Sequence, residues 1–351
     1  MTLGTLQIGA RAVGHGQPCF VIAEAGVNHN GDLALANRLV DIAAEAGADA
    51  VKFQTFRADA IASRTAPKAR YQLDVTSRDE SQLEMLRKLE LTPEMHRAVS
   101  AHCRAKGILF LSTPFDEASA DFLDELGVVA FKMASGEITN LPFVAHVARK
   151  VKPMLVSTGM SNIAEVAEAL RTIAENGNPP TLLFQCTSNY PAAPSDINLR
   201  AMQTMSHAFG VPVGYSDHTA GIEISLAAVA LGACILEKHF TIDRNLPGPD
   251  HKASLEPAEL GALVRGVRAV EAALGHGRKE PVANELSTRD IARKSLVATR
   301  DIARGSVIGE NDVVRLRPGT GISASRAPTV LGRKLKSDIA AGTMFAWDMF
   351  E

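Results

Sequence analysis

The sequence lacks any strong imbalance of charge. Its 37 lysines and arginines stand against 39 aspartates and glutamates, a formal net charge of -2. No basic run stands out, so nucleic acid is not an expected partner. Cysteine is scarce: Cys19, Cys103, Cys186 and Cys234 are the only four, and no two form a C-x-x-C pair. All but Cys103 sit in apolar runs, and the set reads as buried thiols of a reducing compartment. No apolar run reaches the roughly 18 residues that cross a bilayer, and the first residues lack a basic-then-apolar leader pattern. A cytoplasmic protein without a membrane partner is expected. A G-x-G-x-x-G loop is also missing after the first strand-like run, where Ala23-Glu24-Ala25-Gly26 stands instead. That absence argues against a doubly wound open sheet, the alternative architecture.

What is present is ordinary in amount and regular in arrangement. Hydrophobic residues make up 46% and charged residues 22% of the 351 residues, enough for one large and one small globular domain. Apolar strand-like runs at 19–23, 50–53, 108–111, 128–133, 154–156, 182–186, 211–215 and 234–237 alternate with helical periodicity at 33–46, 93–106, 117–126, 141–150, 163–176, 199–209, 222–231 and 257–274. Asp116, Ser161 and Thr92-Pro93 read as helix starts. Eight βα units predict a (β/α)8 TIM barrel over residues 1–275. A polar, Gly- and Pro-containing linker is expected at 276–286. Residues 287–351, with short β-like runs at 295–297, 307–308, 313–316 and 344–349, predict a small strand-rich domain.

In a barrel of this kind the residues just after each strand line one mouth. Two such ends carry histidines, in Tyr215-Ser216-Asp217-His218-Thr219 and Leu236-Glu237-Lys238-His239-Phe240. Adjacent parallel strands lie about 4.8 Å apart, so His218 and His239 could share one divalent metal. Each alone also reads as a hydrogen-bonded core histidine. The other ends are polar throughout and include Lys52 and Lys132 within apolar strands, together with Ser135, Ser157, Ser188 and Ser216. Lysines with hydroxyls suit an anion such as a phosphate. Glu24, Glu137 and Asp250 add carboxylates. Such a mouth fits metal-assisted chemistry on a phosphorylated or carboxylated small molecule, leaving aldolase, phosphatase, isomerase and condensing synthase open.

The motifs resemble the sialic acid (N-acetylneuraminate or nonulosonate) synthase family. The matching pieces include Glu24-Ala25-Gly26-Val27-Asn28-His29-Asn30-Gly31, Val51-Lys52-Phe53-Gln54, Lys132-Met133-Ala134-Ser135-Gly136-Glu137, Gln185-Cys186-Thr187-Ser188-Asn189-Tyr190-Pro191 and Pro249-Asp250-His251. Arg293-Lys294-Ser295-Leu296 and Leu316-Arg317-Pro318-Gly319 resemble its C-terminal antifreeze-like (SAF) domain. The resemblance implies condensation of phosphoenolpyruvate with an N-acetylated hexosamine, releasing phosphate by C–O cleavage. N-acetylmannosamine is the first expected acceptor, followed by a 2,4-diacetamido-trideoxyhexose leading to legionaminate or pseudaminate. It implies a divalent metal on His218 and His239, Mn2+ first, with Mg2+ or Co2+ as alternatives. It places Lys52, Lys132, Ser135, Ser157, Ser188 and Ser216 on phosphoenolpyruvate, and Glu24, Gln54, Tyr190 and Asp250 on the sugar. Glu137 would transfer a proton near the attacking water. A homodimer is implied, with the SAF domain capping the partner's barrel and Arg317 reaching its sugar. In many bacterial members an asparagine stands where this chain has Val75. Rival readings are a metal-dependent phosphosugar aldolase and a non-catalytic sugar-binding protein.

Overall fold

The computed structural model describes residues 4–73, 76 and 79–351, with only the backbone described at Arg70 and Tyr71; Val75 lies outside the described residues. Eight parallel strands form one sheet: β1 (Phe20–Gly26), β2 (Ala50–Thr55), β3 (Leu109–Pro114), β4 (Phe131–Met133), β5 (Met154–Ser157), β6 (Thr181–Cys186), β7 (Val213–Asp217) and β8 (Ile235–His239). Their order is β3-β2-β1-β8-β7-β6-β5-β4. β3 and β4, the ends of that order, lie side by side. The sheet is therefore the expected TIM barrel and not an open sheet. Helices follow the strands as α1 (Leu33–Glu45), α2 (Pro93–Lys106), α3 (Glu117–Leu126), α4 (Leu141–Ala148), α5 (Ile163–Glu175), α6 (Arg200–Phe209), α7 (Glu223–Ala230) and α8 (Pro257–Leu274).

Period-two alternation decides what fills the barrel. One set of strand residues, including Val21, Ala23, Val51, Phe53, Met133, Val156 and Leu236, packs with the helices in the main core. The alternate set points inward and changes character along each strand. Phe20, Ile22, Ala50, Leu111, Leu155, Leu182, Phe184 and Ile235 form a second apolar cluster with Leu6, Ile8 and Val13. The last three belong to an antiparallel hairpin, Leu6–Ile8 with Arg11–Val13, which the apolar-run reading did not anticipate. Two residues further along the same inward column come Glu24, Lys52, Ser157, Cys186 and Glu237, so the interior switches from apolar to polar toward the C-terminal ends. β7 and β8 approach closely at Gly214, where an added Cβ would sit 2.1 Å from Ile235 Cγ2.

Helix starts follow local capping. The Asp116 side chain accepts from Ser119 N–H at 2.8 Å, and Thr92 caps α2 with Pro93 in its first turn. α5 corrects the expectation for Ser161. Its cap is Asn162, which accepts from Ala164 and Glu165 N–H, because the helix opens at Ile163 and only the residue directly before it reaches those donors.

The chain divides into two compact units, residues 1–275 and 276–351. The second has a helix, Glu285–Ala292, where no helix was expected. Strands Ser295–Ala298 and Val313–Leu316 pair antiparallel. Val307 and Met344 make single bridges instead of the strands expected there, and Trp347–Met349 is a 3-10 turn. Leu296, Ile302, Ile308, Ile322, Val330, Leu335, Phe345 and Phe350 form its own core. Among the described residues no helix is long and apolar enough to cross a membrane.

Candidate active site

The inward polar layer floors a cavity of about 290 Å³ at the C-terminal ends of the strands. Register brings its charges together: Glu24 on β1 stands opposite both Lys52 on β2 and His239 on β8, and Glu237 on β8 opposite Ser216 on β7. Lys52 Nζ lies 2.8 Å from Glu24 Oε2 and 3.8 Å from Glu237 Oε2, and donates to Thr113 Oγ1 at 2.9 Å. Lys132 Nζ donates to Ser157 Oγ at 2.6 Å and lies 3.6 Å from Glu237 Oε1, which also accepts from Ser216 Oγ at 3.0 Å. Both lysines are buried, at 3% and 4% exposure, which settles that they are not surface lysines.

Burial and neighbours set the protonation of this floor. Burial pushes Glu24 up to about 7, an effect that Lys52 only partly offsets. Burial opposes the Glu237 charge too, but Lys132 and Lys52 outweigh it and hold Glu237 below the usual range. Lys52 is pulled down by burial and raised by more through Glu237 and Glu24. Lys132 is lowered, chiefly by burial. Glu237 is thus one carboxylate shared by two lysines, so the floor is cationic when both lysines carry their charge and Glu24 is protonated. Ser135 and Ser188 extend it: their hydroxyls flank Gly159, where a Cβ would meet Ser188 Oγ at 2.4 Å and Ser135 Oγ at 2.7 Å, and Ser135 Oγ accepts from Gly159 N–H at 3.0 Å.

The two histidines lie beside this floor with ring centroids 5.3 Å apart. Tyr190 lies against both, 4.0 Å from His218 and 5.5 Å from His239. His218 Nδ1 is 2.7 Å from the Thr187 carbonyl. Burial opposes charge on this ring, but Cys186 and the Thr187 carbonyl outweigh it and raise its pKa, so Nε2 carries a free lone pair when the ring is neutral with Nδ1 donating to Thr187. His239 Nδ1 is buried without a hydrogen-bond partner, 3.9 Å from Asp250 Oδ2, and burial followed by His218 keeps this ring far toward the neutral form. A neutral imidazole with an orphaned nitrogen beside a second imidazole with a free lone pair fits a divalent cation. The fit is that of a two-residue donor set: among the described residues no group of three or more His, Cys, Asp or Glu is arranged to hold a metal. Asp250 is pushed up to about 6 by burial.

Of the residues singled out from sequence, Glu24, Lys52, Gln54, Lys132, Ser135, Ser157, Ser188, Tyr190, Ser216, His218, His239 and Asp250 line this one cavity. Glu137 does not; it lies in the turn Ser135–Glu137 and accepts from Asn140 Nδ2 at 2.8 Å. Arg317 is an exposed residue of the C-terminal unit, its Nε donating to the Ala292 carbonyl at 3.0 Å. Glu237 and Thr113 were given no role by sequence, although alternation from Ile235 to Glu237 to His239 already put Glu237 on the inner face. Met85, Leu86 and Leu89 also line the cavity; Met85 ends a segment, Glu80-Ser81-Gln82-Leu83-Glu84-Met85, that resembles bacterial family members, but none of the three was given a role from sequence.

The NeuB family model matches residues 39–279, and the SAF domain model residues 293–351. The chain belongs to the NeuB family. An N,N'-diacetyllegionaminic acid synthase of Legionella pneumophila is 48% identical over 98% of both chains. Another, of Campylobacter jejuni, is 52% identical over 89% of this chain and 94% of that one. The crystal structure of the N-acetylneuraminic acid (sialic acid) synthetase of Leptospira borgpetersenii, in complex with citrate, has a TM-score of 0.71 at 36% identity, covering 81% of this chain and 95% of that chain. This NeuB-family chain is thus an enzyme, a condensing transferase of the nonulosonic acid synthase class.

Proposed function

We propose that the enzyme condenses phosphoenolpyruvate with the open-chain form of a 2,4-diacetamido-trideoxyhexose and water, giving a legionaminate-type 2-keto acid and phosphate. The carrying observation is the buried floor in which Lys52 and Lys132 share Glu237 beneath a ring of hydroxyls, in one cavity with two imidazoles. The choice of sugar is supported by the names of the relatives at 48% and 52% identity, against 36% for the sialic acid synthetase. N-acetylmannosamine, first in the sequence reading, becomes the second reading.

In this mechanism Lys52 and Lys132 neutralise the carboxylate and phosphate of phosphoenolpyruvate, and Ser135, Ser157, Ser188 and Ser216 donate to its oxygens. C3 of the enol forms the new C–C bond to the sugar aldehyde, whose oxygen gains a proton. Water adds at C2 and gives up one proton, and phosphate then leaves with the C2–O bonding pair as the C2 hydroxyl loses its remaining proton to give the ketone. Glu24 and Asp250 are the cavity carboxyls that hold or release a proton near neutral pH, at about 7 and about 6. His218 and His239 would hold a divalent metal, by the family resemblance Mn2+, which supplies Lewis acidity at the aldehyde oxygen. Tyr190 and Gln54 bound the sugar's side of the cavity.

Phosphate release from phosphoenolpyruvate, with each sugar and with none, in Mn2+ and after EDTA, tests the proposal. Release should require a sugar and a metal, should be fastest with the diacetamido sugar, and should vanish in His218→Ala and His239→Ala. Sugar-independent release, or full activity after EDTA, would contradict it. The same proposal includes a dimer sharing Arg317. Inactive Arg317→Ala and His218→Ala subunits, once exchanged, should then regain part of the activity.

A further inference from the structure

The cavity has two chemically different sides. Its floor comes from strand residues and is ionic. Its rim includes Val27, Met85, Leu86, Leu89 and Phe115, with Gln72 beside them. Val27, Phe56, Met85 and Leu89 form a separate buried apolar cluster, with Leu86 and Phe115 packed on it and Phe56 edge-on to Phe115 at 6.1 Å. Open polar chemistry at a mouth does not require such a wall. A mouth that admitted only polyhydroxylated chains would be expected to place hydrogen-bonding groups there, since a buried hydroxyl without a partner is costly.

The wall is held in place. Its carrier is the short helix Gln82–Arg87, capped by Ser81 in a reciprocal pair with Glu84. Before the helix, Glu80 is gripped by Lys68 at 2.9 Å and Lys88 at 2.5 Å. After it, Glu90 Oε1 accepts from Ala58 N–H at 2.6 Å. At Gly31 the chain passes so close that a Cβ would sit 2.5 Å from the Lys88 carbonyl oxygen. Pinned at both ends, the segment presents Met85, Leu86 and Leu89 as a preformed surface.

Resting on the synthase reading above, we propose that Met85, Leu86 and Leu89 select the acceptor by its far end, seating a C6 methyl group where a C6 hydroxyl would be desolvated. The aldehyde must meet the enol at the ionic floor, so the opposite end of a six-carbon chain reaches the rim. There a methyl buries apolar surface and a hydroxyl loses water without gaining a partner. An apolar pocket discriminates against an added hydroxyl by up to roughly a hundredfold.

The test is kcat/KM for phosphate release with two acceptors that differ at one atom: the 2,4-diacetamido-2,4,6-trideoxyhexose, and the same sugar with its C6 hydroxyl restored. The wild-type enzyme should prefer the deoxy sugar by roughly tenfold or more. Met85→Gln and Leu89→Gln should collapse that ratio while leaving phosphoenolpyruvate affinity unchanged. Leu86 is only half-buried, so Leu86→Gln keeps the test available if the other two unfold. Equal use of both sugars by the wild type, or an unchanged ratio in every folded variant, would overturn the role of the wall alone. No phosphate release with either sugar would overturn the synthase reading, and the wall's role with it.

Discussion

Two buried ion clusters stand on adjacent strands of the barrel and differ in how completely they are satisfied. On the outward face, Asp217 and Lys238 pair at 2.9 Å with both side chains at 0% exposure. Asp217 also accepts from Tyr215 Oη, Ser225 Oγ, and the Thr219 N–H and hydroxyl, while Lys238 donates to the Thr219 carbonyl. On the inward face, one residue earlier on each strand, Ser216 and Glu237 belong to the other cluster, together with Lys132 of β4. There Glu24 Oε2, Glu237 Oε2 and His239 Nδ1 are buried without a hydrogen-bond partner, although Glu24 Oε2 and Glu237 Oε2 do face Lys52. A closed network serves the fold. An open one keeps unspent donors and acceptors for a ligand. The closed network also frames His218, which follows Asp217 directly, and His239, which follows Lys238.

Breaking the closed cluster should have the largest effect on stability. Asp217→Ala strands a buried ammonium and should cost about 3–5 kcal/mol in urea unfolding, with Asp217→Ala/Lys238→Met recovering part of it. A loss below about 1 kcal/mol would remove the contrast between the two networks.

The second effect is a pH dependence confined to the open cluster. The Glu24 carboxyl is raised from 4.5 to about 7. A raised acid contributes stability that is fully present below pH 4.5 and is lost as pH rises through 7, up to about 3 kcal/mol. Metal-free wild type should therefore lose more stability between pH 5 and 8 than Glu24→Gln does. Equal losses would show that Glu24 is not held near neutrality.

Lys52→Met should cost only about 1 kcal/mol in the ligand-free protein, because Glu24 can take up a proton when its partner goes. A loss as large as that of Asp217→Ala would make the open cluster as structural as the closed one. The smallest expected effect is a control outside both clusters: Asn162→Ala removes a helix cap and should cost about 1 kcal/mol with no change in catalysis.

The barrel was legible because apolar runs alternate with helical periodicity at regular spacing. Strand ends were less so. The ladder continues through Glu24, Gln54, Thr113, Asp217 and His239, beyond the ends of the apolar runs at 23, 53, 111, 215 and 237, because hydrogen bonding between strands does not depend on side-chain apolarity. The site was legible for the same reason, since polar residues at the ends of apolar strands have few other purposes. Its partners were not. That Lys52 faces Glu24 and Glu237, or that Glu137 turns toward Asn140, depends on register and a 3-10 turn that composition does not encode. The rim residues Met85, Leu86 and Leu89 were assigned to no element and no role, because an apolar side chain looks alike facing a core or a cavity. The N-terminal hairpin escaped because its strands, Leu6–Ile8 and Arg11–Val13, are too short to show a period.

Titration calorimetry with phosphoenolpyruvate tests most directly whether the open cluster is the anion site. Lys52→Ala and Lys132→Ala should each weaken binding by roughly ten- to a hundredfold, the worth of one charged hydrogen bond. Ser225→Ala, which removes a donor from the closed cluster, should lower the melting temperature and bind phosphoenolpyruvate as the wild type does. Unchanged affinity in both lysine variants, or a loss in Ser225→Ala as large as theirs, would contradict the division between the two clusters.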